Sequence, residues 1–447
     1  MTRLVFILMH LCLAAVSFAD GKVVLTLEQA YDRALATDQS IRQAFYELKK
    51  ADLLPSSALA RLGPSITGNA GLTQGRDQRS TSGASTTTPL GRASVQETSS
   101  VRTARGTADL TWQQPLLDFS VFPAHRFGKL SIAAAEWQQR FTIRETLFGV
   151  AQSYYEVLKQ QRLVAVNRES LQLSNEQLAV SEKRAAAGEV TRSDVLRTQV
   201  VVETARRTLV ESEATLAINE DTLRNALNFG PQVELSLLEP PDAPVGLPEF
   251  ADLLQRAKVS REDLKVRSLA IEQEMEKRHE IKAQYLPRIV AQVNGGYTDD
   301  SGTTKASNEY WSAEIGVQVP LFTGGQREID LKNARYLIEQ SRLEKVQLEK
   351  TVEAEVRQAW LDVRRLRETV KALQVQVRAA EQSYRDLQNQ YKAGTATSVD
   401  VLSALSQLNV SRQDLSAETY DYQVALRSLD RVAGVFQEAR VQRTKLR

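Results

Sequence analysis

A ten-residue motif that occurs twice constrains the fold of this chain more than any other feature. Residues 187–196 read AGEVTRSDVL and residues 393–402 read AGTATSVDVL, so corresponding positions lie 206 residues apart. Gly188 and Gly394 suit the left-handed conformation that ends a helix. The Thr-x-x-Asp that follows each glycine suits the capping box that begins the next helix. Each motif therefore predicts the tip of a helical hairpin, at about residues 185–196 and 391–402, and the pair predicts two structural repeats.

Long heptad patterns flank both tips. Apolar residues recur every seven positions after each tip, at Val195, Val202, Leu209, Leu216 and Leu223 and again at Val401, Leu408, Leu415, Tyr422 and Leu429. Before the first tip, the same spacing predicts a helix from about residue 122 to residue 187, which would extend roughly 100 Å. A strict repeat of seven indicates left-handed coiled-coil packing between neighbouring helices. The chain is therefore expected to be mixed but mostly α-helical.

The N-terminus has the pattern of a secretory signal peptide. Arg3 precedes an apolar run that ends in small residues, which predicts cleavage after Ala19; a short membrane anchor is the alternative. The only cysteine, Cys12, lies in this segment. No later stretch approaches the roughly 18 apolar residues of a transmembrane helix, so any membrane crossing must use strands. The formal net charge of +2 argues against bulk nucleic-acid binding.

Four stretches change from the helical period to a period of two. They lie at about residues 64–74, 106–116, 287–298 and 309–320. In the first, Ile66 and Leu72 fall on one side and Thr67 and Asn69 on the other, which indicates a strand with one apolar face. The Ser-, Thr-, Gly- and Arg-rich stretch from Gln74 to Gly106 predicts a long loop, whose arginines either bind lipid phosphates or are solvated.

The four predicted strands are suited to a bilayer. A strand of about 11 residues rises ~35 Å and, when tilted, spans the apolar core of a membrane. Four strands cannot close a barrel, and open strand edges are not tolerated in lipid, so copies of the chain would have to combine. Trp112 and Trp311, near strand ends, suit a membrane interface. A soluble sheet with one wet face is the alternative interpretation.

The sequence resembles the TolC-like outer-membrane efflux proteins, the outer-membrane factors of Gram-negative bacteria. The resemblance rests on the two tip motifs and on two strand ends, QQPLL at residues 113–117 and VPLFTGG at residues 319–325. It implies a homotrimer in which four strands per chain form a 12-stranded outer-membrane β-barrel and the hairpins form a periplasmic α-barrel. After a signal peptide at residues 1–19, the two structural repeats would span residues 20–247 and 248–447.

The family also implies a function and partners. The protein would be the exit duct of a tripartite efflux or type I secretion system, located in the outer membrane and extending into the periplasm. Export through it would be passive, because an inner-membrane transporter supplies the energy and a periplasmic adaptor docks at the tips. Outer-membrane lipids would surround the barrel. The cargo stays open, since drugs, small toxic molecules and secreted proteins all fit a wide, wet lumen.

The resemblance assigns a gate to the hairpin tips. Asp400, Asp194 and Tyr391 fall on the family's gate positions, and three copies of Asp400 would form a carboxylate ring that selects cations. Two departures are Ala396, where the family's best-known gate has an arginine, and Ser403, where it has an aspartate. The alternative roles are helix capping for the two aspartates and core packing for Tyr391.

Six tip residues are expected to face the adaptor. These residues are Gly188, Thr191, Arg192, Gly394, Thr395 and Thr397. Whether Arg192 replaces the arginine that is missing at Ala396 is left open by the sequence.

Two other classes of protein were considered. A periplasmic coiled-coil adaptor or scaffold without a pore would also use long hairpins, but it would need neither the strands nor two complete repeats. An enzyme is disfavoured, because His125 and His279 lie on separate predicted helices without ligand partners at metal spacing. No phosphate-binding glycine loop or nucleophile elbow is present in the sequence. We therefore expect no catalytic residue, no metal site and no cofactor.

Overall fold

The computed structural model describes residues 22–82, 86–88, 91–93, 96–241, 246–300 and 306–443. The predicted signal peptide and its cleavage site lie outside these residues. In chain order the elements are β1 (Lys22–Leu25), α1 (Leu27–Thr37), α2 (Gln39–Asp52), α3 (Leu54–Ala60), β2 (Ser65–Ser82), β3 (Thr86–Thr88), β4 (Gly91–Ala93), β5 (Gln96–Leu117), α4 (Val121–Ala186), α5 (Arg192–Ala226), β6 (Glu234–Leu237), α6 (Phe250–Ser260), α7 (Glu262–Ala283), β7 (Arg288–Asp300), β8 (Ala306–Gln318), α8 (Gln326–Lys392), α9 (Ser398–Val432) and α10 (Glu438–Arg443).

The chain divides into two compact units, each built from separate segments. The first unit comprises the chain up to residue 48, residues 135–267 and the chain from residue 344 onward. The second comprises residues 49–134 and 268–343. Both hairpin tips belong to the first unit and the main sheet belongs to the second.

Two helical hairpins dominate the first unit. The tip between α4 and α5 and the tip between α8 and α9 each turn at a glycine with positive φ, +78° at Gly188 and +80° at Gly394. The helices that leave the tips, α5 and α9, are both 35 residues long and begin 206 residues apart. The left-handed glycines and the two capping boxes that the sequence predicts are confirmed.

A buried core holds the other end of the hairpins in the first unit. Strands β1 and β6 pair in parallel, and Tyr154 of α4 is fully buried beside them. Its hydroxyl donates to the carbonyl oxygens of Leu25 at 2.8 Å and Leu238 at 2.6 Å. Burial raises the pKa of Tyr154 to about 12, so the phenol stays protonated and keeps donating. These bonds fix the short sheet against α4.

Two stretches with a helical sequence pattern each contain more than one helix. The stretch from Leu27 to Leu62 contains α1, α2 and α3, and the first break falls at Asp38, whose Oδ1 accepts from the backbone N–H groups of Ser40 at 2.8 Å and Ile41 at 3.1 Å. That carboxylate caps α2, so it starts a new helix. The stretch from Glu249 to Tyr285 contains α6 and α7, separated at Arg261, whose ψ of 126° is extended.

The second unit contains an antiparallel sheet of four strands. Its order is β2-β5-β7-β8, so β2 and β8 are the edges. The prediction of a loop from Gln74 to Gly106 is wrong for the paired part of that stretch. Strands β2 and β5 stay paired as far as Ser82 and Gln96. The polar residues there lack an apolar face, but backbone pairing does not require one. A small second pair, β3 with β4, follows in the same segment.

Candidate functional site

The four-stranded sheet has one continuous apolar face. Ile66 lies opposite Trp112, Trp112 opposite Val293, and Val293 opposite Ala313, so one apolar row crosses all four strands. Large side chains on this face are exposed, with Leu72 at 83% and Trp311 at 79% of their full accessible area. An exposed apolar surface of this kind marks a region that contacts an apolar partner.

The opposite face of the same sheet is polar. Thr67 lies opposite Thr111, Thr111 opposite Asn294, and Asn294 opposite Ser312. Asn69 follows Thr67 by two residues on β2, and its Nδ2 donates to Oδ2 of Asp109 at 2.8 Å. The sheet therefore separates an apolar surface from a hydrophilic one across its thickness.

Arg105, which belongs to the predicted loop, pairs with a carboxylate of the same sheet. Nη2 of Arg105 lies 2.9 Å from Oδ2 of Asp300 on the neighbouring strand β7. This pair gives Arg105 a role in joining strands, whichever other ligands the segment meets.

The first hairpin tip is built around Thr191, which caps α5. The Thr191 Oγ1 accepts from the backbone N–H of Asp194 at 3.3 Å. In return, Oδ2 of Asp194 accepts from the Thr191 backbone N–H at 3.1 Å and from its hydroxyl at 2.7 Å. These bonds, the Thr191 hydroxyl first, hold the pKa of Asp194 below its usual value. The carboxylate is thus ionised at neutral pH.

The second tip repeats this arrangement around Thr397. Its Oγ1 accepts from the Asp400 backbone N–H at 3.3 Å, and Oδ2 of Asp400 accepts from the Thr397 backbone N–H at 3.0 Å and its hydroxyl at 2.6 Å. The Thr397 bonds likewise lower the pKa of Asp400. Both predicted gate aspartates therefore cap helices; capping leaves Oδ1 of each carboxylate available for a second contact.

A hydrogen bond joins the two tips directly. The hydroxyl of Ser398 donates to Oδ1 of Asp194 at 2.8 Å. Ser398 is 5% exposed, and this second bond also contributes to the lowered pKa of Asp194. Asp194 thus accepts the capping bonds of its own helix through Oδ2 and the hydrogen bond from the other hairpin through Oδ1.

Tyr391 links the hairpins in a different way. It is 1% exposed and packs in an apolar cluster with Val401 and Leu405 of α9, against which Val180 of α4 also packs. The guanidinium carbon of Arg184 lies 4.4 Å from the centre of the Tyr391 ring, and Arg184 Nη1 donates to the Tyr391 carbonyl oxygen. In this chain Tyr391 is therefore a buried contact between hairpins.

Sequence reasoning missed two of the residues that join the tips. Ser398 lies inside the repeated motif, but its counterpart at the first tip is Arg192. Because the two tips differ at this position, comparison of the repeats did not single it out. Arg184 lies at the end of α4 and also pairs with Glu189 across the turn at 2.9 Å, a spacing that could have suggested a tip residue.

The residues expected to face an adaptor are all exposed. These are Gly188, Thr191, Arg192, Gly394, Thr395 and Thr397. Of the two departures from the family pattern, Ala396 packs against the cluster around Tyr391, whereas Ser403 is exposed.

The two histidines outside the predicted signal peptide belong to the second unit, whereas both tips belong to the first. His125 Nδ1 lies 3.2 Å from the Pro55 carbonyl oxygen, and His279 Nδ1 lies 3.5 Å from Glu276. Across the described ranges, no group of three or more His, Cys, Asp or Glu side chains is arranged to hold a metal ion. None of the helices in that part of the chain is long and apolar enough to cross a membrane.

Comparison with known proteins identifies the family. The family model described as outer membrane efflux protein matches residues 30–228 and 253–435. The chain belongs to the outer membrane efflux protein family. This membership confirms the resemblance and, with it, the predicted location in the outer membrane of a Gram-negative bacterium. The family is one of transport proteins rather than a known class of enzyme.

Individual relatives are distant in sequence and close in fold. The alkaline protease secretion protein AprF of Pseudomonas aeruginosa is 25% identical over 349 residues, covering 74% of this chain and 70% of the relative. The outer-membrane channel OprN is 18% identical with a TM-score of 0.72, covering 91% of this chain and 89% of OprN. VceC of Vibrio cholerae is 20% identical with a TM-score of 0.69, covering 91% and 96%. The mostly helical fold with strands matches these channels.

Proposed function

We propose that this protein is the exit duct of a tripartite efflux or type I secretion system. Cargo would pass passively through it from the periplasm or from an inner-membrane transporter to the outside. The observation that carries this proposal is the four-stranded sheet, which has one apolar face, one polar face and two open edges. A sheet of this kind is stable in lipid only if its edges pair with other copies.

The proposed assembly is a homotrimer. Three copies of the sheet would supply twelve strands, with the row through Trp112 and Val293 facing lipid and the row through Thr111 and Asn294 facing water. The helical hairpins would form a second barrel in the periplasm, arranged as two structural repeats in each chain. Their equal length and constant offset support such a quasi-regular ring.

The proposed gate lies at the hairpin tips. Asp400 would line the narrow point as a ring of carboxylates, while Asp194 and Tyr391 would hold the two hairpins of a chain together. A periplasmic adaptor would dock on the six exposed tip residues, which are Gly188, Thr191, Arg192, Gly394, Thr395 and Thr397. The carboxylate ring favours cations because its negative charges attract them at close range.

The relatives' names support export but do not select one cargo. AprF and the PrtF protein of Dickeya chrysanthemi are named for the secretion of proteases, whereas BepC of Brucella suis is named as an efflux protein. We therefore propose export without assigning the cargo to secreted proteins or to small molecules.

Conductance in a planar bilayer tests this function. Purified wild-type protein should give small, cation-selective openings. Asp400→Ala should raise the single-channel conductance or weaken block by divalent cations, because it removes the carboxylate ring. Asp414→Ala is the matched control: Asp414 lies 14 residues along the same helix, two heptads from Asp400, and is also exposed. Its conductance should equal that of the wild type.

Two results would count against the proposal. Folded protein that neither inserts nor conducts would favour the periplasmic scaffold, and so would its recovery as a soluble protein rather than as heat-resistant trimers in the outer-membrane fraction. Equal conductance for the wild type and Asp400→Ala would contradict the proposed carboxylate ring, and helix capping would then be the role of Asp400.

A further inference from the structure

The polar face of the four-stranded sheet carries an aromatic ring in the same row as a carboxylate. Asp109 of β5 lies opposite Gly296 of β7, and Gly296 lies opposite Tyr310 of β8. Residues that lie opposite each other in an antiparallel pair project from the same face of the sheet. Because Asp109 is two residues from Thr111, this row belongs to the polar face.

Gly296 allows the ring of Tyr310 to lie across strand β7. A β-carbon at residue 296 would lie 2.7 Å from Oη, 2.8 Å from Cζ and 2.9 Å from Cε1 of Tyr310, which is too close for any side chain. The ring therefore extends from β8 over β7 toward Asp109, which stands one strand further, about 4.8 Å away across the sheet. Tyr310 is 49% exposed, so part of its ring remains open to solvent.

Asp109 is held in place and keeps one oxygen available. The Nδ2 of Asn69 donates to Oδ2 of Asp109 at 2.8 Å, and in the part of the chain that the structure describes this is the only side-chain bond of Asp109. Arg105, which lies further along β5 on the same face, is paired with Asp300 at 2.9 Å. Oδ1 of Asp109 therefore faces solvent chemistry with no protein cation beside it.

A second carboxylate on the polar face lacks the aromatic neighbour. Glu314 lies in the row that crosses Gln113 and Gln292, and it is exposed. Within the described ranges of the four strands, Tyr310 is the only aromatic residue on this face. The combination of a carboxylate and an open aromatic ring therefore occurs at Asp109 and not at Glu314.

We propose that Tyr310 and Asp109 form a binding site for planar organic cations on the wall of the duct. The inference rests on the proposed function, which turns the polar face toward water inside the barrel, and it names a class of cargo for that duct. A cation is attracted both by the face of a tyrosine ring and by a carboxylate. A planar cation can stack on Tyr310 and place its charge near Oδ1 of Asp109.

The composition of the site favours an organic cation over a metal ion. Calcium takes six to eight oxygen ligands, whereas this site offers one carboxylate, whose Oδ2 already accepts from Asn69. An aromatic face adds nothing to a hard metal ion that keeps its water. One ring and one carboxylate give modest affinity, and a duct needs binding that is weak enough for the cargo to leave.

Binding of ethidium, a planar aromatic cation, tests the site. The purified full-length protein in detergent is titrated and the anisotropy of ethidium fluorescence is measured. Tyr310→Leu and Asp109→Asn should each raise the Kd about two- to fivefold, which corresponds to the loss of one exposed cation–π or ionic contact. Gly296→Ala should weaken binding to a similar extent, because its methyl group displaces the Tyr310 ring although it removes no contact group.

Two matched variants and an uncharged probe separate a defined site from general attraction. Glu314→Gln removes a carboxylate from the same face, and Tyr297→Leu removes a tyrosine from the apolar face beside Gly296. Both should keep a Kd near that of the wild type. Phenanthridine, the uncharged ring system on which ethidium is built, should bind more weakly than ethidium. Equal weakening by Glu314→Gln and Asp109→Asn, or equal binding of the two probes, would overturn the site.

Conductance and assembly, measured on the same preparations, distinguish failure of the site from failure of the duct. If the wild type is trimeric and conducts, but ethidium binds it no better than it binds Tyr310→Leu and Asp109→Asn, the cation site is overturned and the duct stands. If the wild type is neither trimeric nor conducting, the proposed function fails and the site on the duct wall fails with it.

Discussion

The guanidinium carbon of Arg184 lies 4.4 Å from the centre of the Tyr391 ring, and this stack joins the first hairpin to the second at their tips. Arg184 also donates to the Tyr391 carbonyl oxygen and pairs with Glu189, so one side chain contacts both turns. Tyr391 is buried while Arg184 is partly exposed, so the arginine side chain shields the ring from solvent. The tips are therefore held by polar contacts over a small apolar cluster.

Removing the Arg184 side chain should destabilise the second tip. Arg184→Ala loses a cation–π contact worth about 0.5–2 kcal/mol and a hydrogen bond to a main-chain carbonyl. We expect hydrogen exchange of the amides around residues 391–396 to become about tenfold faster for each ~1.4 kcal/mol lost. Tyr391→Phe is the control: it keeps the ring and removes only a hydroxyl that lies 3.5 Å from Ser181 Oγ. Equal exchange in the wild type and Arg184→Ala would show that the stack adds nothing.

The first capping box should contribute measurably to α5. Thr191→Ala removes the acceptor of the Asp194 N–H and the hydroxyl that donates to the Asp194 carboxylate, a loss of about 0.5–2 kcal/mol for a capping threonine. We expect faster hydrogen exchange confined to the first two turns of α5. Thr204→Ala serves as control, because the Thr204 hydroxyl only bonds back to the Val200 carbonyl within the same helix. Similar exchange in both variants would contradict a capping role.

Acid should weaken the tips through their aspartates. The folded-state pKa of Asp194 is lowered, so its ionised form stabilises the tip above the unfolded-state pKa of about 4, and that stabilisation is lost as pH falls through the lower folded-state value. Exchange protection in the first turns of α5, corrected for the intrinsic pH dependence, should be constant from pH 7 to about pH 5 and fall toward pH 3.

Asp194→Asn separates this effect from the equivalent one at the second tip. The variant should show no acid-induced loss of protection in α5, while α9 still responds, because the pKa of Asp400 is lowered too. An acid response of α5 that persists unchanged in Asp194→Asn would assign the titration to another group.

The tips could be predicted from the sequence because their signals are local. Gly188 and Gly394 have positive φ, and Thr191 and Thr397 cap the helices that follow, all within a few residues of the turn. The contacts between tips could not be predicted in the same way. Ser398 and Asp194 are 204 residues apart, and their hydrogen bond depends on how two hairpins pack.

The extent of β2 and β5 shows a second limit of sequence patterns. Residues 74–82 lack the alternation of apolar and polar side chains, yet they pair with β5 through the backbone, Gln74 opposite Ala104 and Ser82 opposite Gln96. Side-chain alternation reports which face of a strand is apolar. It does not report where strand pairing stops once both faces are polar.

The ion pair between Arg144 and Glu262 should be the most costly single contact to break in the first unit. Both side chains are 4% exposed, and Arg144 Nη2 lies 2.5 Å from Glu262 Oε1. Arg144 Nη1 also donates to the Phe436 carbonyl oxygen at 2.6 Å, which attaches the C-terminal segment to α4. Glu262→Gln leaves a buried guanidinium without its counter-charge, and we expect a loss of about 3–5 kcal/mol.

The comparison with an exposed pair shows why burial decides this cost. Arg168 and Glu213 also form an ion pair, at 3.0 Å, but their side chains are 68% and 47% exposed. Water already solvates both charges there, so Glu213→Gln should cost no more than about 1 kcal/mol. Urea-unfolding midpoints of the two variants, measured beside the wild type, should therefore differ widely. Similar midpoints for Glu262→Gln and Glu213→Gln would mean that Arg144 finds another partner when the glutamate is removed.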